Sequence, residues 1–140
     1  MPKAVLDTNI LVSAFITPRG TPAKLLHAWR EEQFDLATSP PILVELQEAL
    51  CRPKIHIRYH LSREDIHNFL TLLASATVLV PGTTAVSAPI QDPDDLMVLA
   101  TAIESQAAYL VTGDKELLHL KRFQSVHIIT PSAFLRIIAP

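Results

Sequence analysis

Lys3-Ala4-Val5-Leu6-Asp7-Thr8-Asn9 opens the chain with an unbroken apolar triplet that runs straight into a carboxylate. A strand wetted on one face alternates apolar and polar side chains, whereas a strand covered on both faces reads as a continuous apolar run. Residues 3–8 therefore predict a short, fully covered strand with Asp7 at its carboxyl end. A second stretch repeats the pattern far along the chain, where Tyr109-Leu110-Val111 leads through Thr112 and Gly113 to Asp114. A lone aspartate after a strand is ordinarily a turn or cap residue. Two of them, on neighbouring parallel strands, would face one crevice, because open parallel sheets gather ligands at the carboxyl ends of their strands.

The sequence between these strands supplies helices. Thr21-Pro22 reads as an N-cap with proline in the first turn, opening a helix to about Gln33. Phe34-Asp35-Leu36-Ala37 alternates weakly as a strand. Ser39-Pro40-Pro41 starts a helix that Pro53 closes near Cys51. Ser62-Arg63-Glu64-Asp65 resembles a capping box, and Ile66, Phe69, Leu70 and Leu73 follow at the spacing of one helix face. Residues 77–80 predict a strand. Asp92-Pro93 begins a helix carrying Leu96, Leu99, Ala100 and Ile103, and a short helix follows the turn at Gly113. Val126-His127-Ile128-Ile129 is the last strand, and Thr130-Pro131 opens a closing helix. That helix carries Phe134, Leu135, Ile137 and Ile138, assigned to core packing ahead of an interface. Strands separated by helices imply right-handed crossovers, hence an α/β fold: one three-layer α/β/α domain over residues 1–140 with a mainly parallel sheet.

Composition sets outer limits. The 140 residues are 49% apolar and 19% charged, a balance that supports one substantial core and argues against disorder. No apolar stretch approaches the roughly 18–20 residues of a membrane span, and the opening residues meet Asp7 too soon for a signal peptide. Cys51 is alone, so an internal disulfide or a cysteine-rich zinc site is excluded. The expectation is a soluble, cytoplasmic protein without a membrane partner. A formal charge of −2 is unlike the basic footprint of most nucleic-acid binders. Setting aside four acids that serve a cation leaves a remainder of +2, so charge decides neither way.

The helical acids sort by angle. Ile42, Leu43, Leu46, Ala49 and Leu50 define a buried helix face, with Glu45 at its edge and Glu48 pointing almost opposite, towards water. In Asp92-Pro93-Asp94-Asp95, Asp92 and Asp95 share one side of the helix while Asp94 projects away. Aspartates in a first turn cap the helix and suit its dipole. Capping is therefore placed ahead of chemistry for Asp92, which remains an additional ligand candidate. Asp95, one turn in and beside the core face, is the better ligand. Asp7, Glu45, Asp95 and Asp114 converging without a clear basic partner would repel one another, and repulsion raises carboxylate pKa values. A hard divalent cation resolves that conflict through oxygen ligands. The six histidines show no zinc-ligand spacing.

These segments resemble the PIN-domain ribonucleases. Val5-Leu6-Asp7-Thr8-Asn9-Ile10-Leu11-Val12-Ser13 is similar to the family's first-strand motif, and Glu45 within Ile42-Leu43-Val44-Glu45-Leu46 takes the place of its helical acid. Asp92-Pro93-Asp94-Asp95 with Leu99-Ala100-Thr101-Ala102 resembles the third acidic motif, and Leu110-Val111-Thr112-Gly113-Asp114-Lys115 the fourth. Arg52-Pro53-Lys54-Ile55, linker-like in sequence, resembles one branch of toxin components of prokaryotic toxin–antitoxin pairs. Leu96 and Met97 depart from that branch, which commonly has polar residues there, and make the mouth of the site more apolar.

The resemblance implies a PIN-like, Rossmann-like nuclease domain that uses Mg²⁺ or Mn²⁺ to cut single-stranded or loop RNA, often as a homodimer restrained by an antitoxin protein. Asp7 and Asp95 would hold the principal ion, with Glu45 and Asp114 completing its shell or holding a second. Glu45 is also suited to orient the attacking water. Thr8, Asn9 and Thr112 are suited to hydrogen bonds with these carboxylates or to phosphate contacts, and equally to capping and turn roles. Arg52, Lys54, Arg58 and Arg63, with His56, Tyr59 and His60 between them, form the densest basic stretch and a candidate RNA surface. A solvated surface is the plainer account of that stretch. Two other classes stay open. One is a small phosphoester hydrolase, although the Asp-x-Asp pair of haloacid-dehalogenase-like enzymes and a P-loop are both missing. The other is a PIN-like RNA- or protein-binding module without catalysis.

Overall fold

The apolar triplet Ala4-Val5-Leu6 has no solvent exposure, which places the first strand at the centre of the sheet. The computed structural model describes residues 1–139. Its strands are β1 (Lys3–Leu6), β2 (Asp35–Thr38), β3 (Val78–Leu79), β4 (Tyr109–Val111), β5 (Arg122–Phe123) and β6 (Val126–Ile129). The helices are α1 (Thr8–Ile16), α2 (Thr21–Arg30), α3 (Pro40–Leu50), α4 (Pro53–His56), α5 (Arg63–Ala76), α6 (Pro93–Glu104), α7 (Lys115–Leu120) and α8 (Pro131–Ile138). The sheet order is β3-β2-β1-β4-β6-β5. Every pairing is parallel except that of β5 with β6. This is the expected three-layer α/β architecture. The chain first builds outwards from β1 through β2 to β3, then crosses back to add β4 on the other side of β1. The order therefore reverses between β1 and β4, and the crevice above that point is where such sheets place their ligands.

Aromatic rings secure the helices. Phe34 meets Phe134 of α8 edge-on at 4.9 Å between centroids, and Phe15 of α1 stacks on Phe69 of α5 at 4.6 Å. Phe134 is buried as expected of a core residue, while Ile137 is 46% exposed. The capping signals at Ser62 and Thr130 act as read: Ser62 Oγ accepts the Asp65 amide and Thr130 Oγ1 the Ala133 amide.

Local signals went astray where tertiary context won. Residues 8–16 carry no charge and no clear apolar periodicity, yet form α1, with Asp7 as its N-cap. The first strand accordingly ends at Leu6 and not at Thr8. The N-cap of α2 is Gly20 and not Thr21, and α2 ends at Arg30. Of the linker-like residues 52–55, Arg52 is the N-cap of the short helix α4 and the other three lie within it. β5 was not anticipated; Gln124, at φ 52°, turns the chain back into β6.

Between β3 and α6 the chain crosses back in an irregular segment, residues 80–92. Gly82 is buried there at φ 71°. A β-carbon added to it would lie 2.6 Å from both Cβ and Oγ of Ser39 and 3.0 Å from Thr101 Oγ1. Those two hydroxyls form a buried hydrogen bond of 2.8 Å between the N-cap of α3 and the middle of α6. Thr101 commits its own proton to the Met97 carbonyl, so Ser39 donates. Left-handed backbone with a side chain and overpacking both cost stability. Gly82→Ala is expected to lower unfolding free energy by about 2–4 kcal/mol, measured by urea denaturation; a change below about 0.5 kcal/mol would contradict the packing described.

Candidate metal-binding cleft

The carboxyl ends of β1 and β4 open into a cleft of about 910 Å³ walled by α3, α6 and the 80–92 segment. Asp7 lies at its floor, 5% exposed. As N-cap of α1, Asp7 makes no side-chain capping bond; its carboxylate is committed elsewhere. The Thr112 hydroxyl donates to Asp7 Oδ2 at 2.7 Å and accepts the Asp114 amide at 3.0 Å. Asp114 caps α7 through one oxygen, Oδ1, which accepts the Glu116 and Leu117 amides at 2.8 and 3.2 Å. Its other oxygen makes no hydrogen bond among the described residues. Asp92 caps α6 by accepting the Asp94 amide at 2.9 Å, the role given first place from its sequence. It also lines the cleft.

Asp7, Thr8, Asn9, Glu45, Asp92, Asp95 and Asp114 all line this cleft, and Thr112 lies beneath it, fully buried. Of the basic stretch, Arg52 reaches the wall, while Lys54, Arg58 and Arg63 do not. The Arg58 guanidinium lies 5.5 Å from the Tyr59 ring centroid. Of the two apolar residues after Asp95, Met97 lines the cleft and Leu96 packs against the core.

Two further acids belong to the wall, against the angular reading of the sequence. Glu48 lies one turn beyond Glu45 on the same side of α3 and faces the open cleft. Asp94, turned away from the core face of α6, points towards α3 and there contacts Glu45. Angles on one helix separate buried from exposed. They do not say which exposed direction another helix will enclose.

Seven carboxylates and one guanidinium therefore share the cleft. The one basic side chain at salt-bridge distance from an acid among the described residues is His27, 3.7 Å from Glu31 on the surface, so no acid of the cleft has a basic partner at that distance. The consequences are upward pKa shifts. Burial is the main cause for Asp7, opposed by its hydrogen bond from Thr112 and by the neighbouring Thr8 amide, and reinforced by the charges of Asp114 and Asp92. Burial also raises Glu45, opposed by Thr8 and reinforced by Asp94 and Asp7. Asp95, 7% exposed, is pushed up to about 7, first by burial and then by the charges of Asp114, Asp7, Asp92 and Glu116.

An all-oxygen set of this kind suits a hard divalent cation and does not suit zinc. The uncompensated charge and the raised pKa values fit such an ion. The Thr8 hydroxyl, buried at the cleft beside Glu45, closes no hydrogen bond of good geometry there and is one more oxygen of the set. As the side chains stand, no three His, Cys, Asp or Glu groups among the described residues are close enough to share one ion. Binding therefore requires side-chain rotation to bring them in.

The raised carboxyl groups fix the sign of a pH effect. Between about pH 4, where an unfolded aspartate ionises, and the folded value near 7 for Asp95, the folded protein binds more protons than the unfolded chain. Stability therefore falls as pH rises through that window. In EDTA the melting temperature should drop from pH 5 to pH 8, and Asp95→Asn should raise it by several degrees at pH 8 and little at pH 5. A profile that is flat, or that rises towards pH 8, would contradict this electrostatic account.

Comparison with known proteins agrees with the architecture. A family model described as the PIN domain matches residues 3–116. The uncharacterized protein MJ1680 of Methanocaldococcus jannaschii is 34% identical over 137 residues, spanning 93% of this chain and 86% of that protein. A crystal structure of VapBC2 from Rickettsia felis, bound to a DNA fragment from their promoter, shares the fold with a TM-score of 0.61. Its matched chain is 21% identical, with 91% of this chain and 98% of that chain covered. By the family match over residues 3–116, the chain belongs to the PIN domain family.

Proposed function

We propose that this protein is a divalent-metal-dependent endoribonuclease that hydrolyses phosphodiester bonds of RNA and forms the toxin half, VapC-like, of a toxin–antitoxin pair. The observation that carries the reading is the convergence of Asp7, Glu45, Asp95 and Asp114 on one cleft without a basic partner. Structural ion sites and active sites both perturb pKa values, but an open cleft of this size leaves room for a strand of substrate. Membership of the PIN family supports the nuclease class. The structural neighbour is a VapBC2 complex, which supports an antitoxin partner; a homodimer is part of the same proposal.

Asp7 and Asp95 would hold the principal Mg²⁺ or Mn²⁺, with Glu45 and the uncommitted oxygen of Asp114 completing the set. Such an ion, when bound, lowers the pKa of water and neutralises charge on the scissile phosphate. The protein's own part is positional. Thr112 fixes Asp7 Oδ2 from below and so sets the orientation of a carboxylate that lines the cleft. Glu45, half-buried and with a raised pKa, is placed to accept a proton from the attacking water. Asn9, exposed at the start of α1, offers a polar group to phosphate, while the buried Thr8 hydroxyl is confined to the carboxylates beside it. Arg52 is the one cation on the wall among the described residues, and the RNA contact that the geometry favours over Lys54, Arg58 and Arg63.

A mixed pool of structured and unstructured RNA, incubated with Mg²⁺, Mn²⁺ or EDTA, tests this directly. Cleavage should require metal and should fall by at least about 100-fold in Asp7→Asn and Asp95→Asn, a loss typical of disabling an electrostatic catalytic group. Cleavage that survives in EDTA, or a folded Asp7→Asn protein with full activity, would refute the assignment. Arg52→Gln should lower the slope of log affinity against log salt by about 1, with binding measured on the Asp7→Asn background. An unchanged slope would remove Arg52 from the RNA contact.

A further inference from the structure

Glu104 lies at the end of α6, away from the carboxylates of the cleft, yet both of its carboxylate oxygens are committed. Oε1 accepts the Gly82 amide and Oε2 the Thr84 amide, each at 2.8 Å. One side chain thus grips the backbone on either side of Thr83. Pro81 and Thr83, which bracket Gly82, line the cleft. Gly82 itself is seated on the Ser39–Thr101 hydroxyl pair. The far end of the same segment is held by a second acid, Glu116, whose Oε1 accepts the Gln91 amide at 3.1 Å. An irregular segment of this length is costly to hold in one conformation, and here two acids supply the restraint. Pro81 and Thr83 give this part of the cleft wall an uncharged surface, suited to apolar and hydrogen-bonding contact with an RNA strand.

Resting on the nuclease reading above, we propose that Glu104 is a positioning residue: by clamping the backbone around Thr83 it makes residues 81–83 a fixed wall of the cleft, against which an RNA strand is held. Glu104 does not touch the reacting atoms. Its backbone bonds also keep its carboxyl group below its ordinary pKa, so the clamp stays charged throughout the working pH range. A wall that holds the strand equally in ground and transition states contributes to KM and not to kcat.

The experiment compares wild type, Glu104→Gln and Glu104→Ala in two readouts: steady-state cleavage of an unstructured RNA oligonucleotide with Mn²⁺, and amide hydrogen exchange at Gly82 and Thr84. Gln keeps one acceptor oxygen and turns an amide group towards the other N–H, so it should fall between the other two proteins. In Glu104→Ala, KM should rise about tenfold, the order expected for loss of hydrogen bonds to a charged group, with kcat within about twofold. Exchange at the two amides should quicken while the β1 and β4 amides stay protected. Faster exchange with an unchanged KM would overturn the proposal and leave the nuclease reading intact. So would a fall in kcat alone, or exchange that does not change. A wild type that cuts no RNA overturns the nuclease reading and the proposed role of the wall with it. That failure is separate from the others because it shows without any substitution.

Discussion

The Thr112 hydroxyl donates one hydrogen bond to Asp7 and accepts another from the Asp114 amide, and the cleft is organised around that pair of bonds. The hydroxyl's single proton goes to Asp7 Oδ2, which accepts it. Burial works against an ionised Asp7, and the bond works for it. The bond also joins β1 to the end of β4, two strands that pair side by side at the point where the sheet order reverses. With that junction set, α1 must start directly from Asp7 and α7 directly from Asp114. Two carboxylates are thereby held near each other by backbone geometry that does not depend on their mutual repulsion.

The other acids arrive from helices packed over this junction. α6 brings Asp95 in its first turn, and α3 brings Glu45 on the edge of its buried face. Ser39, Thr101 and Gly82 lock α3, α6 and the crossing segment to one another. The fold therefore supplies the energy that gathers like charges. A pair of unit charges about 4 Å apart costs several kcal/mol at protein-like dielectric, too much for any one hydrogen bond to offset but small against the burial of a whole core. Burial first, and then the repulsion that remains, raises the carboxyl pKa values, that of Asp95 to about 7. A cation entering the cleft would relieve that repulsion.

Much of this was legible in the sequence, for identifiable reasons. Continuous apolar triplets marked β1 and β4 because strands covered on both faces need no alternation. The acids at their ends, Asp7 and Asp114, fell together because parallel strands share one carboxyl edge. Glu45 and Asp95 could be placed by their angle to an apolar face. Other features depended on partners that no local pattern encodes. α1 has apolar side chains nearly all round, so its period was hidden; Ile10 and Leu11 face the core, and Phe15 packs against Phe69. Glu48 and Asp94 were read as solvent-facing, which they are, but the solvent in question is the cleft. The 80–92 segment has neither period nor cap signal, and its shape comes from Glu104 and Glu116, acids about 20 or more residues away in sequence. The asymmetry is physical: local propensity is written locally, whereas the path of an irregular segment is written wherever its hydrogen-bond partners happen to lie.

The central claim is that these crowded acids form a cation site in which ionisation and metal binding are coupled. Calorimetric titration of the protein with Mn²⁺ at pH 7, repeated in buffers of different ionisation enthalpy, counts the protons released on binding. With Asp95 near half-protonated at that pH, the account predicts release of a substantial fraction of a proton, vanishing by about pH 9 and absent in Asp95→Asn. Binding without proton release at pH 7, or no binding by the folded protein, would contradict it.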